Sequence, residues 1–207
     1  MRSPLAEALA ALARALAKLD APWYLFGAQA ALLYGAARLT ADVDVTVLLG
    51  DRQTVELVRV LEKAGFRLRV RDIDAFVAKT RVLPFLHPRS GMPIDIVLAG
   101  PGLEELFFKR RRRRSIEGIP VPVASPEDVV VMKVLAGRGK DEDDVIAIIA
   151  AQRRLNLERI RKTLNALERA LGQSDLSPRF EALLARARGT GSPRRTRRPR
   201  SRPSRSS

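Results

Sequence analysis

Residues 25–48 read LFGAQAALLYGAARLTADVDVTVL, and the fold is decided there. The apolar run up to Phe26 predicts the end of a short strand. Gly27 turns the chain into a brief helix over 28–34, which Gly35 ends. A second strand is predicted over 42–49, and it carries Asp42 and Asp44. Side chains on a strand alternate faces, so carboxylates at i and i+2 point the same way. Thr40 and Thr46 share their face, while Val43, Val45 and Val47 fill the other. Asp is a poor strand former, so two inside a valine run need a reason. Neighbouring like charges raise each other's pKa unless something positive lies between them. A divalent cation answers both points, because hard oxygen ligands suit magnesium. The bland alternative is a half-buried strand with an acidic solvent face.

The 207 residues allow one ordinary domain plus an appendage, and 46% hydrophobic content allows a sizeable core. The chain has no cysteine, which excludes disulfides and thiolate metal sites and fits a reducing compartment. The Ala/Leu-rich N-terminus carries Glu7, Arg14 and Lys18, so it reads as an amphipathic helix rather than a signal peptide or a membrane span. The expectation is a soluble, cytoplasmic protein with no membrane partner. Net charge is +15, and residues 189–207 alone hold seven arginines and no acid. A basic body with a basic tail suggests a polyanion, most simply RNA; an Arg- and Ala-rich coding bias explains the composition equally well.

Along the chain, Ser3 and Pro4 predict the cap and first turn of a helix reaching about residue 19. Residues 23–26 follow as a strand. Asp51 is expected to cap a helix closed by Gly65. Further strands are expected at 66–70, within 75–86 with an interruption near Pro84, and at 93–98. Pro101 is expected to start a helix that runs into the block Lys109, Arg110, Arg111, Arg112, Arg113, Arg114, followed by an extended piece at 119–123. Ser125-Pro126-Glu127-Asp128 is a capping box. Beyond it only helices are predicted: one that starts at Pro126, carries Val129 to Leu135 and is broken by Gly137 and Gly139, one opened by Asp141 and Asp144, and two more at about 157–171 and 178–187. Residues 189–207 have nothing apolar to bury and read as disordered. The order implies an α+β fold: a small mixed sheet flanked by helices, then a helical half. The expected division is 1–124 for the sheet-bearing core, 125–188 for the helical part and 189–207 for the tail.

Asp95 lies in the apolar strand PIDIVL, opposite the face of Ile94, Ile96 and Leu98. Such an acid is costly unless paired or metal-bound. A neighbouring strand would set it beside Asp42 and Asp44, and three carboxylates can hold two Mg²⁺ for in-line phosphoryl transfer. An ion pair with a nearby arginine is the alternative. A glycine at the strand-to-helix turn lets backbone N–H groups approach a phosphate, although most turn glycines do no more than turn.

The run FGAQA…YGAARLTADVDV resembles motif one of the polymerase-β-like nucleotidyltransferases. Gly27 and Ala28 are followed by thirteen residues and then Asp42-Val43-Asp44, and the approach through Gly35, Arg38, Leu39 and Thr40 also matches. The resemblance is closest to the AbiEii-type branch, the toxin half of type IV toxin–antitoxin pairs, and its uncharacterised nucleotidyltransferase-fold relatives. SPEDVVVMKVLAGRGKDEDDV is similar to that branch's downstream motifs, so the likeness spans about 23–149. It implies a nucleotidyltransferase-like fold, with Asp42, Asp44 and Asp95 as catalytic and metal-binding acids. It further implies that Gly27 and Ala28 face the triphosphate of an NTP and that Lys133 reaches its β- or γ-phosphate. Arg138, Asp141 and Asp144 would complete the nucleotide pocket or support its lysine. Read from the residues alone, the alternatives are a Lys133 that snorkels from an apolar helix and an Asp141–Asp144 helix cap pair. The motif more often has Gly or Ser where this chain has Ala28, which offers only a backbone N–H.

The implied activity is transfer of an NMP to an acceptor hydroxyl, with an RNA or tRNA 3′ end favoured and an antitoxin protein as a partner. Residues 109–114 are the expected nucleic-acid contact. Aromatic residues make up 5% and the arginine tail has none, so any RNA contact would be electrostatic rather than by base stacking. Small cationic antibiotics suit such a positive surface poorly. The competing reading is a catalytically degenerate module that binds RNA or a protein.

Overall fold

A computed structural model of the chain describes residues 2–37, 40–50, 53–100 and 102–189. Arg38, Leu39, the expected cap at Asp51, the expected helix start at Pro101 and the tail from 190 lie outside the described residues.

The first helix forms where its cap predicts. Ser3 Oγ accepts the Ala6 N–H and Pro4 opens α1 (Pro4–Lys18), whose Leu9, Leu12 and Leu16 are fully buried. Strand β1 (Trp23–Phe26) and helix α2 (Gly27–Leu33) follow, then β2 (Val43–Val47), α3 (Thr54–Lys63) and the short β3 (Arg67–Leu68). Helix α4 (Ile73–Thr80), β4 (Val82–His87), β5 (Met92–Leu98) and α5 (Leu103–Arg110) come next. The sheet ends with β6 (Arg112–Ile116) and β7 (Ile119–Val123), and the chain continues through α6 (Pro126–Ala136), α7 (Gly139–Ala151), α8 (Leu157–Leu171) and α9 (Leu176–Gly189).

The strands form one mixed sheet in the order β3-β4-β5-β2-β1-β7-β6. β2 lies at its centre, antiparallel to β1 and parallel to β5. Its Val43, Val45 and Val47 are fully buried, as the alternation predicts. Helices α1 and α3 pack against each other, α2 packs on β2 and α6, and α6 to α9 pack together as the helical half. Helix α6 is buried nearly all round: Val129, Val130, Val131 and Val134 are covered, and so are Glu127, Asp128 and Lys133. A helix enclosed on all sides must pair its charges, and these three do. Among the described residues no helix is long and apolar enough to cross a membrane.

Two local readings are corrected. The segment expected to be strand at 75–86 begins as helix α4, because the Asp72 carboxylate accepts the Ala75 N–H at 3.0 Å and caps it. The strand then starts at Val82 and runs through Pro84 without interruption. The Pro84 carbonyl accepts the Arg69 N–H at 2.8 Å, so its missing donor faces the side where two-residue β3 has already ended. The second correction is the basic block. Helix α5 stops at Arg110, and Arg112, Arg113 and Arg114 belong to the edge strand β6, hairpin-paired with β7.

Candidate active site

The site begins with strand register. Asp44 stands level with Asp95 on the adjacent parallel strand and level with Phe26 on the antiparallel one. Asp42 lies one residue ahead of β2 and is exposed. Gly27, directly after Phe26, has φ 67°, and a Cβ there would sit 2.0 Å from Asp44 Oδ2. A side chain at 27 would therefore be strained and would collide with the carboxylate; the glycine is what lets the turn rest on Asp44.

Asp42, Asp44 and Asp95 line one pocket of about 290 Å³, together with Gly27, Ala28 and Thr40. They surround the pocket rather than forming a ready-made cage: among the described residues no three His, Cys, Asp or Glu side chains are grouped as a metal site. Burial, then the charges of Asp95 and Asp42, push the Asp44 carboxyl up to about 6, against a smaller pull from Lys133 and Arg138. Asp95 is also raised, by burial and then by Asp42, with Arg69 opposing. The ion pair with an arginine that was the alternative for Asp95 does not form among the described residues; Arg69 acts only at a distance. Oxygen-only donors that repel one another suit a hard divalent cation, so the set fits magnesium by its chemistry.

The opposite wall comes from the helical half. Lys133, 5% exposed, extends its ammonium to Asp141 Oδ1 at 2.8 Å and Asp144 Oδ2 at 2.7 Å. Arg138 Nε donates to Asp141 Oδ2 at 2.5 Å and its Nη2 to Oδ1 at 3.2 Å. Burial works to raise the Asp141 pKa, but the hydrogen bonds from Arg138 and Lys133 outweigh it and hold the carboxyl below its ordinary value. Asp141 and Asp144 are therefore not a cap pair: α7 starts at Gly139 with Arg138 at the cap position, and both acids point back to the lysine. Lys133 does not snorkel to solvent. Its amine reaches the pocket already bound to two buried carboxylates.

Lys140, to which no role is expected from the sequence, is exposed and lines the same pocket beside Arg138. The signal was the Arg138-Gly139-Lys140-Asp141 run across a helix start, where only the fold tells which side chain turns inward. Met132 and Val129 supply an apolar patch beside the cations.

The basic block does not join this pocket. Arg110 pairs with buried Asp128 at 3.2 Å, and Arg112 approaches Glu127 at 3.5 Å. Arg114 lies over the Tyr34 ring at 6.0 Å. The guanidinium of Arg111 donates to the Phe108 carbonyl and covers its ring. Lys109 and Arg113 are exposed and form no ion pair among the described residues. The expected six-residue contact is thus partly engaged within the chain, although Arg112 and Arg114 stay exposed.

Residues 59–185 match the model of a family described as a nucleotidyltransferase of unknown function (DUF6036). The match begins after Gly27, Asp42 and Asp44 and includes Asp95, Lys133, Arg138, Asp141 and Asp144. No curated protein matches the chain. Among solved structures, an antigenic nucleotidyltransferase-like protein from Paracoccidioides brasiliensis is similar at TM-score 0.51 and 18% identity, over 84% of this chain and 91% of that one. The antibiotic-resistance factor ANT(2'')-Ia is similar at TM-score 0.54 and 16% identity, over 91% and 100%. At these identities the likeness is one of fold.

Proposed function

Because this chain belongs to the DUF6036 family of nucleotidyltransferases, we propose that it moves an NMP from an NTP to an acceptor hydroxyl, using Mg²⁺ held by Asp42, Asp44 and Asp95. The observation that carries this reading is the pairing of Asp44 with Asp95 across adjacent strands, on a pocket whose far wall is cationic. Bound there, Mg²⁺ supplies neutralisation of the transferring phosphoryl group and a more acidic acceptor hydroxyl. The chain's own residues do the positioning. Gly27 makes room for the Asp44 carboxylate and, with Ala28, offers only backbone to a phosphate. Arg138 and Lys140 attract the triphosphate from the opposite wall. Lys133 holds Asp141 and Asp144 in place, so its role is to fix that wall as much as to reach a phosphate. Catalysis of this kind rests on orientation and charge rather than on a protein nucleophile.

RNA is the favoured acceptor, with a tRNA 3′ end as the specific case. The surplus of positive charge supports an anionic acceptor over a cationic antibiotic, whatever the fold likeness to ANT(2'')-Ia. The resemblance to AbiEii-type proteins makes a toxin restrained by an antitoxin the biological setting we favour. The second reading, a degenerate binding module, draws on Ala28 and on the ungrouped carboxylates. One experiment separates them. The protein is incubated with total tRNA and each α-labelled NTP, with γ-labelled ATP as control. Label transfer from the α position only, lost in Asp42→Ala, is expected. Transfer from the γ position would indicate a kinase, and no transfer from any nucleotide would favour the binding module.

A further inference from the structure

Strand alternation divides the basic block. Arg112 and Arg114 fall on one side of β6, where they meet Glu127 and Tyr34. Arg111 and Arg113 fall on the other and, with Lys109, line a cavity of about 480 Å³ that shares no residue with the carboxylate pocket. Trp23, Pro120 and Pro122 form its apolar wall, and among the described residues no acid lines it. Its charge is therefore uncompensated: three cations face an opening without a counter-charge. Arg111 is also pre-positioned, since Phe108 fixes its guanidinium through the carbonyl and the ring.

We propose that this groove is an RNA exosite that binds the phosphodiester backbone; the assignment rests on the reading of RNA as acceptor. Two residues along extended chain place Arg111 and Arg113 about 7 Å apart, comparable to successive phosphates on one strand. Guanidinium groups bond phosphate oxygens in a fork and keep their charge at any working pH. Trp23 is buried at 8% exposure, so it offers packing but no free face for a base. Recognition is then of backbone rather than sequence. An acidic protein segment is the competing occupant, and polyglutamate in the test below separates the two.

The test is fluorescence anisotropy of a labelled tRNA against the full chain over a salt series. Arg111→Gln/Arg113→Gln is compared with a control of equal charge, Arg59→Gln/Arg71→Gln, which alters exposed arginines outside the groove. The groove variant is expected to weaken binding at least tenfold and to lower the salt slope by about 2, roughly one per lost phosphate contact. The control should shift less than twofold. Lys109→Gln/Arg113→Gln, which leaves the Phe108 contact intact, should repeat the loss if the first variant folds poorly. Thermal stabilisation by NTP with Mg²⁺ should be equal in all four proteins. Binding that ignores the groove arginines while label transfer to RNA persists sinks the exosite and spares the acceptor reading. Binding that needs them, without label transfer to RNA from any nucleotide, supports the exosite and sinks the acceptor reading. Failure of the wild type to bind RNA, or equal binding of polyglutamate, overturns the exosite.

Discussion

Asp44 is where one residue carries most of the site's tension. Its folded pKa, about 6, lies above the ordinary 3.8. The folded state therefore holds a proton that the unfolded chain has released, and stability falls as pH rises from about 4 to 6, then levels off. The charged form costs the metal-free protein up to about 3 kcal/mol at pH 7. Asp44→Asn should accordingly raise the urea midpoint in EDTA at pH 7 and flatten the stability–pH curve between 4 and 6; an unchanged midpoint would contradict the burial argument. The same variant should lose any stabilisation by Mg²⁺ and NTP. Gly27→Ala works in the opposite sense. It adds a Cβ 2.0 Å from the Asp44 carboxylate at a positive φ, and urea titration should show a loss of at least about 2 kcal/mol.

At the scale of elements, α6 and α7 are joined by a buried charge cluster rather than by apolar packing alone. Lys133→Met leaves Asp141 and Asp144 without their shared ammonium, and a loss of about 3–5 kcal/mol is expected at pH 7. Asp141 titrates below 3.8 in the folded state, so its contribution is complete above that value and is lost as pH falls through its folded pKa. The penalty of Lys133→Met should therefore shrink in acid, which urea curves at pH 7 and pH 3 would reveal. Helix α4 offers a smaller test: Asp72→Ala removes its cap and should cost about 1 kcal/mol. The aromatic and β-branched residues in this stretch favour a strand, and the Asp72 cap decides for a helix. Helices with strong caps, α1 and α6, were legible, as was the alternation of β2.

At the scale of the whole molecule, Tyr34 ties distant parts of the chain together, and through Gln152 it ties the sheet-bearing part to the helical half. Tyr34 donates its hydroxyl to the Ala124 carbonyl at 2.7 Å, and Gln152 donates to the Tyr34 carbonyl at 3.1 Å. Helix α2 touches both α6 and α7. Tyr34→Phe leaves the Ala124 carbonyl without this donor and should lower stability by about 1–3 kcal/mol. Unfolding should remain a single transition by circular dichroism and by Trp23 fluorescence; two separated transitions would show that these ties are weak.

The sequence by itself determined the alternation that sets Asp44 opposite the valines, the caps of α1 and α6, and the motif spacing from Gly27 to Asp42 and Asp44. These are local properties, fixed by backbone geometry within a few residues. Only the tertiary structure decided that Asp95 stands level with Asp44, that Lys133 is held by Asp141 and Asp144, and that half of the arginine block is spent on Glu127, Asp128 and Tyr34. Strand order and side-chain partners come from burying one shared core, and a charge run looks the same in sequence whether its partner is water, a neighbouring helix or a phosphate.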